Sequence, residues 1–214
     1  MSLQFLNIPP ANGKSATAAI VLLHGWGANL HDLAPLCQEL NLPDCQFICA
    51  DAPFSHPQVP GGKMWYDLET REYRGLLESR QLLLDFLSSL EETTGVPLSR
   101  TILSGFSQGG AMTLDVGLRS PVAGLVSMSG YLHDEPQPAG EKSPPTLIMH
   151  GRQDPVVALS AAIQAQKVFA QLGVPVQYRE FDMGHEIIPS EIQLMRDFVL
   201  ETLSAQNSSM IEKG

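Results

Sequence analysis

A single α/β domain, a mostly parallel sheet with helices on both faces and no large cap domain, is predicted by three features of the sequence. Aliphatic runs alternate with helix-like stretches from residue 18 to residue 203, the order that builds parallel strands joined by crossover helices. The run Ala18-Ala19-Ile20-Val21-Leu22-Leu23 is continuously apolar, as a strand covered on both faces must be. The 214 residues suit one large domain with a continuous core and give little support to a two-domain reading.

The elements follow in order. Residues 3–8 are predicted as a first edge strand, turned by Pro9-Pro10-Ala11-Asn12-Gly13. The strand at 18–23 stops at His24-Gly25-Trp26-Gly27. Leu33, Leu36, Cys37 and Leu40 fall on one face of a helix over 31–40. A strand at 45–50 ends in Asp51-Ala52-Pro53. Residues 51–75 have no clear period and contain Pro53, Pro57, Pro60, Gly61 and Gly62, but Met64-Trp65-Tyr66-Asp67-Leu68 is too apolar and aromatic for disorder. An ordered, functional loop is expected there. Leu83, Leu87 and Leu90 mark a helix over 76–90, stopped at Gly95-Val96-Pro97. A strand at 101–104 leads into a helix over 107–118. Strands at 122–128, 146–150 and 176–181 and helices at 159–172 and 190–203 complete the pattern, with Ser190 as N-cap after Pro189. Residues 1–214 thus form one domain, with an N-terminal edge segment at 1–15 and a polar tail at 206–214 that is expected to fray.

Composition excludes several classes. With 13 basic and 23 acidic side chains the net charge is -10, which repels nucleic-acid phosphates and anionic lipid. Neither is expected as a partner. Residues 1–15 lack the basic and apolar regions of a secretory signal, and the six-residue run at 18–23 is too short to span a bilayer. A soluble, cytoplasmic protein without integral membrane association is expected. Cys45 and Cys49 lie about 13 Å apart along a strand, at ~3.3 Å per residue, beyond disulfide reach. All three cysteines are expected as reduced thiols, Cys37 as a small buried hydrophobe. No His-x-x-x-His or Cys-x-x-Cys spacing occurs and no Gly-rich loop precedes Lys-Ser/Thr. No metal and no phosphate-cradling nucleotide site are therefore expected.

The chemistry centres on Ile102-Leu103-Ser104-Gly105-Phe106-Ser107-Gln108-Gly109-Gly110, where a strand gives way to a helix. Its Gly-x-Ser-x-Gly core makes a nucleophile elbow in that setting, with Ser107 strained at a sharp turn and its hydroxyl raised above the sheet. A Cβ at Gly105 or Gly109 would collide with neighbouring backbone. The pentapeptide by itself is a weak signal, and its context carries the reading. Asp154 follows the strand at 146–150, and His185 follows the strand at 176–181. Catalytic groups gather beyond the C-terminal strand ends of such sheets. A serine hydroxyl needs a neutral imidazole to take its proton, and the imidazole needs a carboxylate to hold its tautomer. Asp51 and Asp182 compete with Asp154 for the orienting role, and His24 and His150 with His185 for that of the base. An oxyanion hole requires two N–H donors. One is expected from Gln108, directly after the nucleophile, and the other from the His24-Gly25-Trp26-Gly27 loop, Trp26 before Gly25.

Together, Leu23-His24-Gly25-Trp26-Gly27, Gly105-Phe106-Ser107-Gln108-Gly109-Gly110, Ser129-Gly130-Tyr131, His150-Gly151-Arg152-Gln153-Asp154-Pro155-Val156-Val157 and Gly184-His185 resemble the phospholipase/carboxylesterase family of α/β-hydrolases, which includes the acyl-protein thioesterases. The resemblance runs from about residue 18 to residue 203. It implies Ser107, Asp154 and His185 as a triad, Trp26 and Gln108 as oxyanion donors, hydrolysis of carboxylic esters or thioesters, and no cofactor. Met64-Trp65-Tyr66-Asp67 resembles the family's Trp-Phe-Asp segment near the acyl-binding surface, which implies Met64, Trp65 and Tyr66 as substrate contacts. Trp26 is bulkier than the leucine common in the thioesterase branch, and Gly61-Gly62-Lys63 is particular to this chain. Both bear on substrate choice. The expectation is a serine esterase acting on short to medium acyl esters through an acyl-enzyme. Protein-thioester or lysophospholipid hydrolysis stands second, and a ligand-binding, non-catalytic relative is the non-enzyme alternative.

Overall fold

A computed structural model of the chain describes residues 2–70, 72–138, 140 and 143–211. Strand β1 (Phe5–Ile8) alternates exposed and half-buried residues and pairs antiparallel, as an edge, with β3 (Cys45–Ala50). β2 (Ala18–Leu23) and β3 are buried along their whole length. The helix expected at 31–40 divides into a 3-10 turn at Leu30–Leu33 and α1 (Ala34–Glu39). Asn29 caps the turn through His31 N–H, and Asp32 reaches back to Asn29 N–H, both at 2.9 Å. Pro35, with no N–H to give, is tolerated only in the first turn of α1, so the α-helix starts late.

Within the aperiodic stretch, β4 (Phe54–Ser55) and β5 (Lys63–Met64) form a short antiparallel pair. Helix α2 (Leu76–Thr94) runs past its expected end at 90 and stops at Gly95, whose φ of 73° is left-handed. Then come β6 (Thr101–Phe106), α3 (Gln108–Gly117), β7 (Gly124–Met128), β8 (Thr146–Gly151), α4 (Leu159–Gln171), β9 (Val176–Phe181) and α5 (Pro189–Ile211). β6 extends two residues beyond expectation because Gly105 and Phe106 still pair with Ser127 and Met128 of β7. The helix α5 begins at Pro189, so Ser190 lies inside its first turn and is not the N-cap. Of the tail expected to fray, residues 206–211 continue α5 and 212–214 lie outside the described residues.

The sheet order is β1-β3-β2-β6-β7-β8-β9, parallel except for β1. From β2 the chain first steps outward to β3, then returns across to β6 and continues to β9. This reversal makes the C-terminal ends of β2 and β6 the switch point of the sheet, where ligands bind in such folds. Ala19, Val21 and Leu23 of β2 face a core with α2, α3 and α4, including Leu83, Leu87, Met112 and Phe169. Ala18, Ile20 and Leu22 face a second core with α1 and α5, including Cys37, Met195 and Val199. Cys37, Cys45 and Cys49 are free and buried, and Cys37 and Cys49 touch sulfur to sulfur at 3.6 Å across α1 and β3. Among the described residues no helix is long and apolar enough to cross a membrane.

Glu191 links this packing to pH. It is fully buried in the first turn of α5, with one carboxylate oxygen accepting Ile188 N–H at 3.4 Å. Burial pushes its carboxyl up from 4.5 to about 7, against the Ile188 bond and with some help from Glu186. Because the folded protein binds this proton more tightly than the unfolded chain does, the contribution of Glu191 to stability is fully present below about 4.5 and is lost as pH rises through about 7. Glu191→Gln is expected to flatten that slope and to raise the unfolding free energy at about pH 8.5 by up to about 3 kcal/mol, measured by urea denaturation across pH. An unchanged slope would show that Glu191 ionises as freely in the fold as outside it.

Candidate active site

Ser107 sits between β6 and α3 with φ 54° and ψ -116°, outside the regions open to most L-residues. Its N–H donates to Met128 O at 2.8 Å and its carbonyl accepts Ala111 N–H at 2.9 Å, so strand and helix both hold the strained turn. A Cβ on Gly105 would lie 2.2 Å from Gly109 O, and one on Gly109 would lie 2.2 Å from Leu23 O. No side-chain adjustment relieves a clash with backbone. The two glycines therefore press the elbow onto itself and onto the end of β2.

Across the strand ends lies a hydrogen-bonded line of three side chains. Ser107 Oγ is 2.9 Å from His185 Nε2, and His185 Nδ1 is 2.7 Å from Asp154 Oδ2. With Nδ1–H donating to the carboxylate, Nε2 is left to accept the serine proton. Asp154 has no exposed side-chain surface. Its other oxygen accepts the N–H groups of Val156 and Val157, each at 2.8 Å. Burial alone would raise its carboxyl, but the His185 bond and the two amides outweigh this and hold it below the ordinary range.

The competing side chains are occupied elsewhere. Asp51 accepts Leu30 N–H at 2.7 Å, and Asp182 pairs with Arg152 at 2.7 Å. His150 Nε2 meets Val157 O at 2.8 Å and is 3.5 Å from Asp154 Oδ2, which places it behind the carboxylate. His24 is turned into the protein, where its Nε2 accepts Ala52 N–H at 3.0 Å.

The loop after β2 passes directly over the elbow: a Cβ on Gly25 would come within 3.4 Å of Ser107 Cβ. Among the turn and loop bonds of the described residues, neither Trp26 N–H nor Gln108 N–H is given to a backbone carbonyl. Gln108 N–H also opens α3, where the helix dipole favours negative charge. The Gln108 side chain is wholly buried; its oxygen accepts Trp65 N–H at 2.8 Å and its amide donates to Tyr66 O at 2.7 Å. Trp65 Nε1 donates in turn to His24 O at 3.0 Å, and the Ser79 hydroxyl to Trp65 O.

A cavity of about 660 Å³ opens on Ser107 and His185, walled by Trp26, Leu68, Tyr73, Tyr131, Leu132 and Val156 among others. Trp65 and Tyr66 are fully buried, Met64 is half-buried, and none of the three lines this cavity. At these positions, expected as substrate contacts, Trp65 and Tyr66 tie the 51–75 loop to α3 and to the end of β2. Tyr66 lies behind the wall, its hydroxyl 2.6 Å from that of Tyr131. The same loop does reach the cavity, through Leu68 and Tyr73. Tyr131 stood in a motif that carried the resemblance, but Leu68 and Tyr73 have no local pattern to mark them. Leu68 and Val156 are apolar and exposed at the cavity.

Residues 10–203 match the family model described as phospholipase/carboxylesterase. An acyl-protein thioesterase 1 of Neurospora crassa is 29% identical over 219 residues, covering 87% of this chain and 87% of the relative. A lysophospholipase-like protein 1 of Mus musculus is 26% identical, over 92% of this chain and 91% of the relative. The crystal structure of esterase PE8 superposes with a TM-score of 0.87 at 32% identity, over 95% of this chain and 100% of that one.

Removing the Gln108 side chain would strand two buried backbone groups. Gln108→Met, similar in volume, is expected to lower the unfolding free energy by about 2–6 kcal/mol, at about 1–3 kcal/mol for each group left without a partner. Urea denaturation checks this, and a cost below about 1 kcal/mol would mean that Trp65 N–H and Tyr66 O find other partners.

Proposed function

The chain belongs to the phospholipase/carboxylesterase family of serine hydrolases, and from that premise we propose that it hydrolyses short to medium acyl esters through Ser107, His185 and Asp154. The observation that carries this reading is the line of hydrogen bonds from Asp154 through His185 to Ser107, which ends in an apolar cavity. Ser107 Oγ attacks the acyl carbonyl while His185 Nε2 takes its proton. Asp154 steadies the imidazolium, and the N–H groups of Trp26 and Gln108 receive the oxyanion. His185 then protonates the leaving alcohol or thiol and activates a water that releases the acid.

Substrate choice follows from the wall. The lining holds no Asp, Glu, Lys or Arg side chain, which favours uncharged acyl groups. Trp26, held edge-on against His56 at 4.7 Å, narrows one side and supports shorter chains. Thioesters stand second, supported by the thioesterase relatives and by a cavity whose apolar mouth at Leu68 and Val156 is open. The reaction needs no cofactor and no nucleic-acid partner. A cytoplasmic setting accords with three unpaired cysteines.

Hydrolysis of p-nitrophenyl acetate and butyrate tests the assignment, with fluorophosphonate labelling of the same samples. Ser107→Ala is expected to lose the label and about 10⁴-fold or more in rate, and Asp154→Asn about 10⁴-fold through the wrong imidazole tautomer. Turnover surviving in Ser107→Ala would overturn the assignment. Matched oxygen and sulfur esters of increasing chain length are expected to show the fastest turnover for short to medium oxygen esters.

A further inference from the structure

His24 opens the loop directly after β2, with 1% of its surface exposed. Ala52 N–H donates to its Nε2 at 3.0 Å, so the ring proton must sit on Nδ1, which lies 2.7 Å from Gly25 O. Burial lowers the imidazole pKa, against the Gly25 bond and the charge of Asp51, and favours this neutral form. The Gly25 carbonyl and the Trp26 N–H belong to one planar trans peptide and point in opposite directions. Fixing the first aims the second.

We infer that His24 is a positioning residue for the oxyanion hole: by holding the Gly25 carbonyl toward the interior, it turns the Trp26 N–H to the site where negative charge develops over Ser107. This rests on the triad and oxyanion roles proposed above. The Gly25 carbonyl also accepts Ala28 N–H at 3.3 Å, and the preceding carbonyl, of His24, is held by the Trp65 indole. Trp65 is held in turn by the Gln108 side chain, whose own backbone supplies the second donor. One buried network thus sets both donors before substrate arrives, which is how a hole acts without reorganising.

Two substitutions separate the ring's two bonds. His24→Asn places an amide N–H near the Nδ1 position, keeping the donor to Gly25 O and losing the acceptor for Ala52 N–H. His24→Gln keeps that acceptor and loses the donor. With p-nitrophenyl butyrate, His24→Gln is expected to lose about 30-fold or more in kcat with KM within about twofold, and His24→Asn to stay within about fivefold of wild type. Equal kcat values, or a more active Gln variant, would assign His24 only to packing and overturn the inference. The 15N spectrum of histidine-labelled wild type needs no variant to fold: Nδ1–H is expected at His24, and Nε2–H would overturn the inference. If Ser107→Ala in the same assays keeps wild-type turnover, the underlying triad reading fails instead.

Discussion

The close approach of Gly109 to the end of β2 is the constraint on which the rest of the site depends. With a Cβ at that position only 2.2 Å from Leu23 O, any larger residue would drive α3 away from the sheet. Glycine lets the helix start directly beneath the β2 loop, and Gly105 allows the same closeness within the elbow. Ser107 pays for this in backbone strain, held by bonds to Met128 and Ala111. Two neighbouring strands at the switch point therefore present the candidate nucleophile and both candidate donors within one small volume.

Around that volume the charges are kept apart by burial and by backbone amides. Asp154 is closed off from solvent but receives two N–H groups in addition to His185, so its charge is stabilised without a cation. Its neighbour His150 is committed to Val157 O, and His24 is committed to Gly25 and Ala52. Three histidines lie at strand ends, and the bonds each makes on its far side decide which is left to meet the serine. Only His185 has a nitrogen directed at Ser107.

The loop over residues 51–75 does two jobs with different residues. Its inner part, Trp65 and Tyr66, is fully buried and braces the elbow helix and the β2 loop through Gln108, Ser79 and His24. Its outer part, Leu68 and Tyr73, reaches the cavity wall. Packing explains the division. A tryptophan and a tyrosine bury large apolar area only where each polar tip finds a partner, and here the indole N–H and the phenol hydroxyl both do.

The elements, their order and the candidate residues Ser107, Asp154 and His185 were legible in the sequence, because strand and helix periods and strand-end motifs are local properties. Gln108 as a candidate donor follows from chain adjacency, directly after the elbow serine, whereas the choice of Trp26 within the glycine-flanked loop leans on the family resemblance as well. Tertiary structure alone decided which aspartate faces which histidine, since Asp51, Asp154 and Asp182 all follow strands and differ only in what lies across from them. It also moved Met64, Trp65 and Tyr66 out of the cavity wall and placed Leu68 and Tyr73 there. Whether an aromatic side chain faces a cavity or a core is set by contacts from distant segments such as Gln108 and Ser79, and no local pattern encodes those.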